Sequence, residues 1–271
     1  MAQIQVNFVS RALLRTVSVN VILPTDKILM NPDKKLKPFK TLYLLNGIFG
    51  NYTDWVTNTR IQQWAEDHDL AVVMPSGDNS FYIDMDLPNN NYGVFIGEEL
   101  VKVTREMFHL STRREDTFIG GLSMGGFGAL RNGLKYHDTF GYIVSLSAAL
   151  NIFEKDADDP TRCLINEDAP FGDLEKARNS DKNPRYLTEH FEGVKPKIFM
   201  AVGLQDQGCL EPNRKFKPCL EENGFDVTYK EADGIHNWVF WDTYIKEALD
   251  WLPLEDKDEA INSGNVKVVK S

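Results

Sequence analysis

Apolar and polar residues alternate with period two along Ile4-Gln5-Val6-Asn7-Phe8-Val9 and Arg15-Thr16-Val17-Ser18-Val19-Asn20-Val21-Ile22-Leu23. Such alternation predicts an antiparallel pair of half-exposed strands. The pattern then changes. Short, continuous apolar runs at 41–45, 70–74, 116–120, 142–146 and 197–202 predict strands covered on both faces, with 226–230 as a last strand. Between them the period lengthens to that of a helix at 61–67, 97–108 and 126–134, and again at 238–251. In the second of these, the apolar residues at 100, 101, 103, 107 and 108 share one face. An antiparallel pair followed by alternating strands and helices predicts an α/β fold: a mostly parallel sheet with an antiparallel N-terminal edge and helices on both faces.

Three stretches escape both periods. Residues 24–38 hold four lysines, two aspartates and three prolines, and read as a surface loop. Residues 149–192 are acidic and carry Phe153, Leu164, Phe171 and Tyr186 without a clear spacing. A connection of that length inside an α/β fold predicts a lid-like insertion over the mouth of a site. Residues 253–271 form a polar tail. No linker or compositional break divides the rest, so residues 1–252 are expected to be a single domain.

Candidate chemistry sits where a strand meets a helix. Asp116-Thr117-Phe118-Ile119-Gly120 runs into Gly121-Leu122-Ser123-Met124-Gly125, and an apolar helical pattern follows. Strand, sharp turn and helix are the context in which G-x-S-x-G forms a nucleophile elbow, with the Ser123 hydroxyl thrust above the sheet. The arrangement is that of the α/β-hydrolase fold. A glycine-rich turn with an incidental serine is the alternative.

A serine hydroxyl needs a base, and the base needs a carboxylate to orient it. In this fold they follow the serine in the order acid, histidine. Of five histidines, His68, His109 and His137 fall near helix ends, where solvated or capping roles suit them, and His190 ends the irregular stretch. His236, in Gly234-Ile235-His236-Asn237-Trp238, lies between the last strand and the last helix. Asp206 follows the strand ending at Val202, which places it at the carboxyl edge of the sheet. Asp226 is at the wrong end of its strand, and Asp233 is too close to His236 in sequence. Ser123, Asp206 and His236 are therefore the expected catalytic residues. The backbone N–H groups of Met124 and of Ile48, in Asn46-Gly47-Ile48, are the expected oxyanion donors.

Together these pieces resemble the putative-esterase branch of the α/β-hydrolases, the group of tributyrin esterases, feruloyl esterases and S-formylglutathione hydrolases. Leu44-Leu45-Asn46-Gly47-Ile48-Phe49-Gly50-Asn51 is similar to its LLHGxxGN segment, and Gly121-Leu122-Ser123-Met124-Gly125-Gly126 to its GLSMGG elbow. Gly203-Leu204-Gln205-Asp206 and Gly234 to Trp238 match its acid and histidine segments. The likeness runs from about Val6 to Trp251 and is nearest the tributyrin esterases. Asn46 departs from the family's usual histidine, which alters how the loop is braced while leaving a main-chain donor in place. That the loop has no neighbouring cysteine argues against an S-formylglutathione hydrolase.

The resemblance implies a serine carboxylesterase acting on short-chain acyl esters through an acyl-enzyme. A feruloyl or acetyl-xylan esterase acting on cell-wall oligosaccharide esters is the alternative within the same chemistry. A non-catalytic hydrolase-fold binding protein is the alternative outside it. Tyr52, Trp55, Phe81, Tyr82, Phe153 and Trp238 are candidate substrate-pocket walls, with core packing an equal reading.

Composition adds boundaries. The chain has 271 residues, 42% of them hydrophobic, enough for a large core. A net charge of −10 argues against nucleic acid or an anionic membrane as partner and says little about a small neutral ester. A homo-oligomer is left open. The N-terminus has the alternation of a strand and no basic and apolar blocks, so a cytoplasmic protein is expected. Cys163, Cys209 and Cys219 show no metal-ligand spacing and read as thiols, with a Cys209–Cys219 disulfide as the alternative in an exported protein. No metal and no cofactor are expected.

Overall fold

The computed structural model describes residues 1–26, 37–153 and 169–254. Most of the expected 24–38 loop, residues 154–168 of the expected insertion, with Cys163 and Leu164, and all but the first two residues of the tail lie outside them.

Eight strands form one sheet in the order β1-β2-β4-β3-β5-β6-β7-β8. They are β1 (Ala2–Ser10), β2 (Arg15–Leu23), β3 (Lys40–Leu45), β4 (Leu70–Pro75), β5 (Thr117–Leu122), β6 (Tyr142–Leu146), β7 (Lys197–Gly203) and β8 (Val227–Ala232). β2 runs antiparallel to both β1 and β4, and every other pairing is parallel. This is the mixed sheet of the α/β-hydrolase fold, with the alternating N-terminal strands at its edge, where one face meets water.

The continuous apolar runs are explained by packing on both faces. Ile119, Ile143, Ile198 and Met200 face one layer with Phe127, Leu130 and Leu134 of helix Met124–Lys135. Phe118, Val144, Leu146, Phe199 and Ala201 face the other, with Trp241, Ile245 and Leu249 of helix Trp238–Trp251 and with Trp64 of helix Ile61–Asp67. Adjacent residues on one strand belong to different cores, as a period of two requires. Burying one such large side chain contributes about 1.5–3 kcal/mol.

Two elements differ from expectation. The helix expected at 97–108 begins earlier, at Tyr92–Val94, and passes through a π-helical turn, Phe95–Glu99, before Leu100–Met107. Helix Leu210–Glu222 was not expected at all. It holds Pro218 and has few apolar residues, but a parallel crossover from β7 to β8 requires some such element. In the described part of the irregular stretch, helices Leu174–Arg178 and Pro184–Glu189 are present, and the second packs on helices Met124–Lys135 and Leu210–Glu222. The fully buried Arg131 reaches out to Asp181 at 3.1 Å and Asp84 at 3.4 Å, tying this region to the elbow helix. Burial opposes ionisation of Asp181, but Arg131 and Lys135 outweigh it and hold its carboxyl below the usual range.

Candidate active site

Register brings the pieces to one edge. Leu45 pairs with Gly121, Leu122 with Leu146, Leu146 with Ala201 and Gly203 with Ala232. The carboxyl ends of β3, β5, β6, β7 and β8 are thus level, and the segments that leave them cluster there.

Ser123 leaves β5 at φ 55° and ψ −117°, caps the helix that follows, and is 8% exposed. Its strained backbone is pinned by three hydrogen bonds: its N–H donates to Leu146 O (2.9 Å), and its carbonyl accepts from Phe127 N–H (3.0 Å) and Ala149 N–H (3.1 Å). Two glycines make the turn possible. A Cβ at Gly121 would lie 2.4 Å from the Gly125 carbonyl oxygen, and one at Gly125 would lie 2.5 Å from that of Leu45. No side chain fits where backbones approach this closely.

Asp206 follows β7 on a turn closed by its own N–H donating to Gly203 O (3.0 Å), and it is 2% exposed. His236 stands between β8 and helix Trp238–Trp251, whose first turn is capped by Asn237 accepting from Phe240 N–H (3.1 Å). The imidazole joins the other two residues: Nδ1 is 2.8 Å from Asp206 Oδ2 and Nε2 is 3.0 Å from Ser123 Oγ. A carboxylate only accepts, so Nδ1 carries the proton and Nε2 is free to accept from the serine hydroxyl. Trp241 meets the imidazole edge to face at 4.9 Å. The other histidines are elsewhere. His68, expected to be solvated or capping, is the C-cap of helix Ile61–Asp67 and is buried, with Nε2 3.7 Å from Asp250 of the last helix.

The loop after β3 is braced from within. Asn46 Nδ2 donates to Gly47 O (2.6 Å) and its Oδ1 accepts from Gly77 N–H (3.1 Å). The Tyr82 hydroxyl lies 3.0 Å from both the backbone and side-chain oxygens of Asn46. Burial pushes the Tyr82 phenol well above the usual range, against the effect of its bond to Asn46, so it stays a donor. Among the described residues, no acceptor engages the Ile48 N–H. Met124 opens its helix, so its N–H has no intrahelical acceptor either.

This arrangement has relatives. The model of the family described as "Putative esterase" matches residues 10–252. The chain belongs to that family. It is 41% identical to an acetyl esterase of Caldicellulosiruptor saccharolyticus, over 93% of this chain and 98% of the relative. Among solved structures, it is 31% identical to FphF of Staphylococcus aureus, a fluorophosphonate-binding serine hydrolase, with a TM-score of 0.80 over 93% of this chain and 98% of that one. It is also 31% identical to the S-formylglutathione hydrolase FrmB of Staphylococcus aureus, with a TM-score of 0.78 and the same coverage. The protein is an α/β-hydrolase and a carboxylic ester hydrolase.

Within this esterase the aromatic residues considered as pocket walls divide. Tyr82 is buried as the brace just described. Trp55 is buried too, donating from Nε1 to Leu45 O at 3.0 Å, and Trp238 packs edge to face on it at 5.4 Å. Phe81 is enclosed by Phe127 and Phe171 at 5.4 and 5.2 Å. Trp55, Phe81 and Tyr82 are thus buried, and Trp238 is half-buried. Tyr52 is half-buried, its backbone N–H bonded to Ser76 Oγ at 3.1 Å. Phe153 does line a cavity, one of about 230 Å³ shared with Phe127, Leu150, Arg178, Arg185 and Phe216. Phe127 belongs to the helix that follows the elbow, so this cavity lies against that helix, and Ser123 and His236 are not among its lining residues.

Sequence reasoning missed two neighbours of His236. Trp241 is signalled only by being one helical turn beyond the cap. Cys209, with Sγ 3.7 Å from His236 Nδ1, is three residues beyond Asp206 on the same turn. Cys209 and Cys219 are both thiols, not a disulfide. Among the described residues, no helix is long and apolar enough to cross a membrane.

Proposed function

We propose that this esterase hydrolyses short-chain acyl esters through an acyl-enzyme on Ser123, with His236 as general base and acid and Asp206 as its orienting partner. The observation that carries the reading is the continuous relay from Asp206 Oδ2 through both ring nitrogens of His236 to Ser123 Oγ, with steps of 2.8 and 3.0 Å. Ser123 Oγ attacks the ester carbonyl carbon while its proton passes to His236 Nε2. The resulting oxyanion is held by the N–H groups of Met124 and Ile48. As the tetrahedral adduct collapses, the C–O bond to the alcohol breaks and Nε2 returns the proton to the leaving oxygen. Water then repeats the sequence on the acyl-enzyme, giving the acid and restoring Ser123. Each proton lost by one partner is gained by another, so the cycle closes without a redox or metal step.

The small acyl group is supported by the likeness to the acetyl esterase. The test is turnover of p-nitrophenyl acetate, butyrate and octanoate beside methyl ferulate and acetylated xylo-oligosaccharide, with Ser123→Ala as the blank. Preference for acetate and butyrate is expected. Faster turnover of ferulate or the acetylated oligosaccharide would overturn the short-chain reading in favour of a cell-wall substrate.

A further inference from the structure

The side of His236 that faces away from Ser123 holds a second set of donors. Asp206 and Cys209 lie on one tight turn, in which Cys209 N–H and Leu210 N–H both donate to Asp206 O, at 3.2 and 2.9 Å. Asn213 fixes the turn from the following helix, giving Cys209 O a backbone bond of 3.1 Å and a side-chain bond of 2.7 Å. Both Asp206 and Cys209 are buried, at 2% and 6% exposure. Onto this turn the β8 loop lowers His236, with Nδ1 2.8 Å from Asp206 Oδ2 and 3.7 Å from Cys209 Sγ. A carboxylate oxygen, a thiol sulfur and an imidazole nitrogen thus converge within 4.8 Å of one another, the one group of this kind among the described residues.

We propose that Asp206, Cys209 and His236 form a site for a thiophilic divalent cation of the zinc type, and that filling it switches the esterase off. The switching half of this proposal rests on the triad reading given above; the binding half does not. Tetrahedral zinc with bonds of about 2.3 Å to sulfur and about 2.0–2.2 Å to nitrogen and oxygen sets its ligands roughly 3.5 Å apart. The sulfur–nitrogen separation of 3.7 Å already meets this, the nitrogen–oxygen separation of 2.8 Å must open, and the sulfur and oxygen lie within 4.8 Å of one another. The His236 side chain is 38% exposed, while the other two ligands are buried, so an ion would enter past the ring. Three protein ligands leave a fourth position for water. A mixed sulfur, nitrogen and oxygen set favours zinc or cadmium over magnesium or calcium.

Binding and inhibition follow from one proton count. The thiol of Cys209 loses its proton to solvent and binds as thiolate. His236 binds through Nδ1, so its ring proton moves to Nε2. Asp206 exchanges its hydrogen bond for a bond to the metal. One proton leaves for each ion bound. With Nε2 now carrying hydrogen, the ring can no longer accept the proton of Ser123, and the nucleophile is not activated. Cys209 does not substitute for that nucleophile, because its sulfur faces Nδ1 and the serine faces Nε2.

The test uses the full chain in metal-free buffer, titrated with cadmium for thiolate-to-metal charge-transfer absorption and with zinc for loss of turnover. Wild type should bind one equivalent of cadmium with the charge-transfer band and lose activity with zinc, regained on adding EDTA. Cys209→Ala should lack the band and, measured against its own metal-free rate, need at least about tenfold more zinc for half-inhibition, since even outer-shell partners of a metal are worth about 10–100-fold. Cys209→Ser is the second variant should alanine impair folding. Ser123→Ala should bind cadmium as wild type does, which reads the site without reference to turnover. Absence of the band in wild type, or equal zinc sensitivity in wild type and Cys209→Ala, overturns the site. A band without zinc inhibition overturns the switch and leaves the triad reading to be judged by Ser123→Ala alone.

Discussion

The two partners of the Ser123–His236 hydrogen bond are held by different physics. Ser123 is 8% exposed, in a turn where Gly121 and Gly125 bring backbone against backbone. Such contacts cannot give way, so packing enforces a strained conformation. The His236 side chain is 38% exposed, on a loop where Ile235 is exposed too, as is Val239 at the start of the following helix. That loop is tied mainly through Gln205, whose Oε1 accepts from Gly234 N–H at 2.7 Å and whose backbone N–H donates to Gly234 O at 3.0 Å. In the mechanism proposed above, the nucleophile must be kept where strain would otherwise relax it. A base that trades protons with serine, alcohol and water can be positioned by hydrogen bonds within reach of solvent.

The largest expected effect lies on the packed side. Ser123→Ala should lower kcat by about 10⁶-fold while the melting temperature stays that of wild type. Turnover within tenfold of wild type, after removal of contaminating activity, would sink the nucleophile assignment. Next is Asp206→Asn, which presents an amide to Nδ1 and favours the wrong tautomer. A loss of about 10⁴-fold in kcat is expected, with the fold retained. A loss below tenfold would mean that the buried carboxylate does not orient the base.

The same contrast decides what the sequence could show. The elbow was legible because steric demand writes itself into residue type: glycine at 121 and 125 flanks Ser123, with an apolar strand before it and a helix after. The relay partners were legible by order along the chain, since Asp206 and His236 follow the ends of recognisable strands. Cys209 was not, because it meets His236 only once two loops from different strands are level. Tyr82 and Trp55 were open to either reading, since an aromatic residue near a site has the same letter whether it lines a pocket or braces a loop. The structure gives Tyr82 a hydrogen bond to Asn46 and Trp55 one to Leu45 O, contacts that the residue letter does not disclose. Helix Leu210–Glu222 was missed because its propensity is poor and the crossover connection, not its own pattern, demands it.

Gly125→Ala sharpens the comparison from the packed side. The new methyl group would sit 2.5 Å from Leu45 O and 2.6 Å from Asn46 O, both backbone atoms. Overpacking of this kind costs about 3 kcal/mol, which in a chain of this size lowers the melting temperature by about 6–12 °C. Scanning calorimetry checks it, and a shift under about 2 °C would show that the elbow can yield.

Gln205→Ala approaches from the other side and carries the smallest effect. It removes the acceptor for Gly234 N–H and the donor to Asp233 Oδ1, a weak bond of 3.3 Å, both near the surface. Exposed bonds of this type contribute about 1 kcal/mol, so the melting temperature should stay within about 3 °C of wild type. The loop that carries His236 loses a tether, however, and the relay must be reassembled at each turnover. A drop of about fivefold in kcat/KM, carried by kcat with KM unchanged, is the expected signature, because about 1 kcal/mol of ordering is then drawn from the transition state. A melting temperature lowered by more than about 6 °C would mean that Gln205 supports the fold at large. An unchanged rate would mean that the His236 loop, like the elbow, is set by packing, with Gly203 against Gly234 in the place of Gly121 against Gly125.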